Sequence, residues 1–114
     1  MKKLLFLFFL LITSCSSFKS GLTIPANETF ILGESNSKKY SAELVNTSDY
    51  ELKIRGEKKQ NGEYTQGFGL APKGKVTVNV SSDEIIKFIN NNNLPVKVNV
   101  KMNKEVYGMR YIKN

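Results

Sequence analysis

The stretch Val96-Lys97-Val98-Asn99-Val100-Lys101-Met102-Asn103 decides the fold class. Its even-numbered side chains are apolar and its odd-numbered ones polar. A helix would scatter these valines around its circumference, whereas a strand sends successive side chains to opposite faces. The segment reads as a half-buried antiparallel strand with its valines toward a core.

The same alternation continues on either side. Val76, Val78 and Val80 alternate with Lys75, Thr77, Asn79 and Ser81, and Tyr50, Leu52 and Ile54 alternate with Glu51, Lys53 and Arg55. Leu22 to Ile24 and Glu28 to Leu32 flank Pro25, which predicts a break between two short strands or an edge. Tyr40, Ala42 and Leu44 predict a strand ending near Asn46. Tyr64 to Leu70 is interrupted by Gly67 and Gly69, and Val106 to Ile112 would close the domain with Tyr107, Met109 and Tyr111 on one face. Between these runs lie the connectors Asn46-Thr47-Ser48-Asp49 and Ala71-Pro72-Lys73-Gly74. Asn61-Gly62 is a hairpin signal, and Asn103-Lys104 suits a tight turn into the last strand.

One segment departs from period two. Ser81-Ser82-Asp83-Glu84 has the form of a capping box, and Ile85, Ile86 and Ile89 then fall on one side of a short helix. The reading is a helix near residues 82–91, with a buried strand as its alternative. The expected whole is all-β: a single antiparallel β-sandwich of about seven strands over residues 22–114, immunoglobulin-like in pattern, with a small β-barrel as the alternative. The Cys-Trp-Cys hallmark of true immunoglobulin domains is absent.

Composition narrows the chemistry. The chain of 114 residues has one Cys, no His and no Trp. No intramolecular disulfide is possible, and nucleophilic catalysis by a Ser-His or Cys-His pair is excluded. A zinc centre is disfavoured, because such sites draw on His and Cys. The acids, from Glu28 to Glu105, form no catalytic or calcium-loop motif, and Gly67-x-Gly69 and Lys73-Gly74-Lys75 are turn glycines without a phosphate-loop pattern. The expectation is a protein that is not an enzyme and uses no cofactor. The net charge of +7 is dispersed among acids. It suits a solvated surface or an anionic envelope partner, and no nucleic-acid motif accompanies it.

The N-terminus reads Met1-Lys2-Lys3, then an apolar run from Leu4 to Ile12, then Thr13-Ser14-Cys15-Ser16-Ser17. A run of about nine apolar residues after two lysines matches a signal-peptide core and falls well short of a bilayer span of ~20 residues. Ile12-Thr13-Ser14-Cys15 resembles the bacterial lipobox, placing the sole cysteine where the apolar run ends. The resemblance implies a lipoprotein signal peptide, helical while attached, over residues 1–14. It also implies a diacylglycerol on the Cys15 thiol, with an acyl chain such as palmitate on its new amino group. By the same resemblance Cys15 is the expected lipidation site, and the small, polar residues after it predict a flexible tether over residues 15–21. Because Ser16 and not Asp follows the cysteine, the same family pattern implies an outer-membrane anchor facing the periplasm.

Beyond the anchor, the candidate binding residues lie on polar strand faces and on the last strand. Lys75 and Asn79, with Lys97, Asn99 and Lys101, would form a basic, amide-rich patch if their strands share a sheet. Tyr107 and Tyr111 would stack on a sugar ring or meet another protein if exposed, and would pack if inward. The expected function is a membrane-anchored envelope lipoprotein with a non-catalytic binding or accessory domain. Its partners would be the membrane and an envelope protein or an anionic polysaccharide such as peptidoglycan. The alternative is a small inhibitor or immunity protein directed at an envelope-targeting enzyme.

Overall fold

A computed structural model describes residues 18–114. The signal helix expected over 1–14 and the lipidation expected at Cys15 lie outside the described residues. Nine strands form: β1 (Phe18–Ile24), β2 (Glu28–Leu32), β3 (Tyr40–Asn46), β4 (Leu52–Lys58), β5 (Tyr64–Leu70), β6 (Lys75–Val80), β7 (Glu84–Ile89), β8 (Val96–Met102) and β9 (Met109–Lys113). They make two sheets, one of four strands in the order β1-β8-β3-β6 and one of five in the order β5-β4-β7-β2-β9. All of their pairings are antiparallel.

The connectivity corrects the immunoglobulin-like expectation. Only the β4–β5 hairpin, turning at Gly62 with φ 70°, returns the chain to the sheet it left. Every other connection crosses between sheets, which is the order of a double-sheet jelly roll with β9 added beside β2. The sheets stay separate, so no closed barrel forms. The crossings follow from the turn chemistry: Pro25 breaks the run from Phe18 to Leu32 into strands of different sheets. Ala71-Pro72-Lys73-Gly74 likewise carries the chain out of β5 into β6, with Lys73 at φ 63°.

The helix expected over residues 82–91 is a strand. Glu84 does reach back as a capping box requires, since the Ser81 N–H donates to Glu84 Oε1 at 2.9 Å. That contact closes a turn instead of a helix: the Glu84 N–H donates to Ser81 O at 3.2 Å, and the chain runs on into β7. β7 lies between β4 and β2. Ile85 and Ile86 are buried on opposite faces, so the isoleucines cluster without alternating, as in any strand covered on both sides.

The segment expected to be a tether is paired where it is described. Phe18 to Ile24 all pair with β8, from Phe18 opposite Met102 to Ile24 opposite Val96. Between the sheets, Ile24, Leu44, Leu52, Ile54, Phe88, Val96 and Val98 are fully buried, each contributing about 1.5–3 kcal/mol by leaving water. Phe30 meets Phe88 edge to face, with centroids 5.7 Å apart. The inward valines of β8 thus serve as the sequence implies, and their polar neighbours point outward.

Candidate functional site

The outer face of the four-stranded sheet is built by register. On β8, Lys97, Asn99 and Lys101 are exposed between buried valines. β3 lies on one side of them and β1 on the other. Val45 pairs with Lys75 on one side and Asn99 on the other, and Glu43 pairs with Thr77 and Lys101. Asn79 stands opposite Ser41. Five of the expected site residues (Lys75, Asn79, Lys97, Asn99 and Lys101) therefore share one sheet face, with β3 between the two groups and a separation of about 10 Å across it.

Two further residues join from β1: Lys19 lies opposite Lys101, and Thr23 opposite Lys97. Lys19 was missed because Ser20 and Gly21 blur the alternation and the segment resembled a tether. The usable signal was Phe18, Leu22 and Ile24 against Lys19, Gly21 and Thr23, which holds period two. Gly21 leaves its side of the sheet open, and a shallow groove of about 320 Å³ runs there between Lys19, Asn99 and Lys101.

Electrostatically the face is one-sided. Lys19, Lys75, Lys97 and Lys101 surround one carboxylate, Glu43, which leans toward Lys75 at 3.5 Å. Lys19 and Lys101 stand directly across an antiparallel pair, an arrangement that costs stability unless an anion lies between like charges. Ammonium groups flanking amide and hydroxyl side chains provide donors for carboxylates, phosphates and sugar hydroxyls.

The two tyrosines separate. Tyr111 pairs with Phe30, its ring 5.0 Å from that ring, and its hydroxyl donates to Thr23 O at 3.2 Å, joining the two sheets at their open side. Burial, with Glu28 nearby, raises its pKa. Tyr111 is therefore fixed against Phe30 and Thr23 while 43% of it stays exposed. Tyr107 precedes β9 and is 55% exposed. Gly108, at φ 86°, sets it outward; a Cβ there would collide with the backbone nitrogens of Ser35 and Glu34.

The space between the sheets is closed. Near β1, β2, β8 and β9 it narrows to a cavity of about 10 Å³ lined by Leu22, Phe30, Leu32, Val100 and Met102 among others, room for one water at most. Among the described residues no three His, Cys, Asp or Glu side chains gather as a metal site would require. The one buried acid, Glu84, is spoken for by Ser81, Thr65 and Gln66.

No family model matches the chain, and no curated protein matches it. Solved structures do match in fold. Peruvianin-I, a cysteine peptidase from Thevetia peruviana latex, superposes with a TM-score of 0.57 at 11% identity, over 86% of this chain and 56% of that one. A Bacillus subtilis oxalate decarboxylase, a protein with Mn(II) centres, gives 0.56 at 10% identity over 90% of this chain and 25% of that one. Procruciferin, an 11S globulin from Brassica napus, gives 0.53 at 10% identity over 92% and 24%. This chain thus spans about half of the first and a quarter of the others. Such likeness shows the fold alone. An Mn(II) centre does not fit between these sheets, where the lining is apolar and the chain has no His. What the chain shares with these proteins is a β-sandwich of two antiparallel sheets.

Proposed function

We propose that this protein is a lipid-anchored envelope module that binds an anionic polymer or protein of the cell envelope through the outer face of its four-stranded sheet. The observation that carries the reading is the Lys19–Lys101 pair, directly opposite each other beside the open strip where Gly21 stands opposite Asn99. A filled core supports display on a surface over capture in a pocket. The lipobox-like Ile12-Thr13-Ser14-Cys15 supports confinement to one leaflet, which raises the effective concentration at any envelope ligand. Stable anchoring needs two or more acyl chains, as a triacylated Cys15 would supply.

Two measurements test this. Globomycin treatment of the producing cells should accumulate the uncut precursor, and Cys15→Ala should abolish acylation. Normal processing and localisation of Cys15→Ala would remove the anchor. Separately, the acylated protein should bind peptidoglycan or an acidic envelope polysaccharide with a salt-dependent affinity, and Lys19→Glu with Lys101→Glu should weaken it about tenfold or more. Undiminished binding by that double variant rejects the face. A tight one-to-one complex with a hydrolase in place of polymer binding would make the protein an inhibitor.

A further inference from the structure

The anchor reading has a geometric consequence for the end of the sandwich where β1 begins. Only three residue steps separate Cys15 from Phe18, the first paired residue. That length of chain spans at most ~11 Å, comparable with the ~5–8 Å depth of one headgroup layer. Lipid on Cys15 therefore brings the Phe18 end of the sandwich against the membrane surface.

The residues at that end suit such contact. Phe18, Lys38, Lys104 and Tyr107 line one groove of about 400 Å³, formed where the loops after β2 and β8 meet the start of β1. Phe18 is 41% and Tyr107 55% exposed. Lys38, Lys39 and Lys104 are exposed around them, and the acid lining the same groove is Glu105. The next acid, Glu34, is held by Arg110 at 2.7 and 3.0 Å. Aromatic side chains with polar rims settle at headgroup depth, and lysines near a membrane gain from anionic lipids.

Exposure alone does not choose this end. The opposite end also shows Tyr50 and Leu94, but with Asp49 and Glu51 beside them, and it lies a full strand length from Phe18. Tether length and charge together make the choice.

We propose that the end carrying Phe18, Tyr107, Lys38, Lys39 and Lys104 is a docking surface for a bilayer with anionic phospholipid headgroups. This rests on the anchor reading. The aromatics sit among the headgroups and the lysines meet the phosphates. The strands then rise from the membrane, with Lys19 and Lys101 of the basic sheet face next to the headgroups and Lys97 and Lys75 farther up.

The chain has no Trp, so single substitutions give unambiguous probes. Acylated Tyr107→Trp, Phe18→Trp and Tyr50→Trp proteins are purified, checked by mass for the adduct on Cys15, and reconstituted into phosphatidylcholine vesicles with or without phosphatidylglycerol. Quenching by brominated acyl chains is then read. The Tyr107→Trp and Phe18→Trp proteins should be quenched at least about twofold more than Tyr50→Trp. The contrast should grow with phosphatidylglycerol and shrink when Lys38→Glu and Lys104→Glu are added. Adduct and flotation with equal quenching at all three positions overturns the docking surface and leaves the anchor standing. A missing adduct and no flotation overturns the anchor, and the docking surface with it.

Discussion

The two ends of this sandwich are built in opposite ways. At the end away from Phe18, two fully buried asparagines tie the loops to the strands. Asn46 Nδ2 donates to Tyr50 O and Leu70 O, and its Oδ1 accepts from Ser48. Asn90 Nδ2 reaches Ile24 O, Pro25 O and Leu94 O, and its Oδ1 accepts from Asn92. At the Phe18 end, the exposed lysines and aromatics rim open grooves, and Glu84 is the chief buried polar tie. One end spends its polar groups on itself, and the other leaves them to solvent or a partner. Binding surfaces are expected on the second kind.

The sharpest way to break that contrast is to remove the Asn90 amide. Asn90→Leu takes the amide donor away from three carbonyls on two segments, Ile24-Pro25 and Leu94, at a fully buried side chain, so it should cost about 3 kcal/mol. At roughly 4–8 °C per kcal/mol for a domain of this size, Tm should fall by about 15 °C in a calorimetric scan. A drop of only a few degrees would mean that the loops hold themselves and the two ends do not differ as described.

Glu84 is the comparable tie at the open end. Its carboxylate lies over Gly56, accepts from the Ser81 N–H, and binds Thr65 and Gln66. Glu84→Ala should cost about 2 kcal/mol, less than Asn90→Leu, because this end is closer to water. Urea unfolding checks the order, and the reverse order would show that the open end is the more strongly fastened.

The same glutamate shows where the sequence was legible. β8, β6 and β4 could be read because each has one face in water, so solvent writes a period of two into their residues. β7 could not, because burial on both faces erases the period and leaves Ile85-Ile86 looking like one side of a helix. The Ser81–Glu84 contact was foreseen, but the same local bond closes a turn as readily as it caps a helix. Strand order was also hidden, since alternation says which face is buried but not which strand lies beside which. For the site, the odd-numbered residues of β8 and β6 were readable for the same reason as their strands. Lys19 was not, because Gly21 contributes no side chain to the pattern. Tyr107 and Tyr111 were expected on one face, but Gly108 turns the backbone between them.

A smaller effect of opposite sign is expected at Tyr40. Its side chain is buried at the open end, but its hydroxyl has no hydrogen-bond partner. Burial above all, and then the Glu84 charge, raises its pKa, so the group stays neutral at any physiological pH. Removing an unpaired buried hydroxyl removes its desolvation cost. Tyr40→Phe should therefore leave stability unchanged or raise it by up to about 1 kcal/mol. A loss of stability would reveal a bond at this end that the geometry does not contain.

The smallest expected effect is electrostatic and separates the ends by pH. The Arg110 guanidinium grips the Glu34 carboxylate through two hydrogen bonds and holds its pKa below the usual 4.5. A carboxylate whose folded pKa is depressed binds protons more readily when unfolded. Its stabilisation is fully present above the unfolded value and is lost as pH falls through the folded one. Glu34 is solvent-accessible, so the contribution is small and screened by salt. Stability should therefore decline slightly more steeply below about pH 4.5 in the parent than in Glu34→Gln, and the difference should shrink in high salt. Asn90 carries no titratable group, so Asn90→Leu should lower the whole stability curve without changing that slope. If the Glu34→Gln and parent curves run parallel in acid at low salt, the ion pair contributes nothing, and charge at the open end is free for a partner.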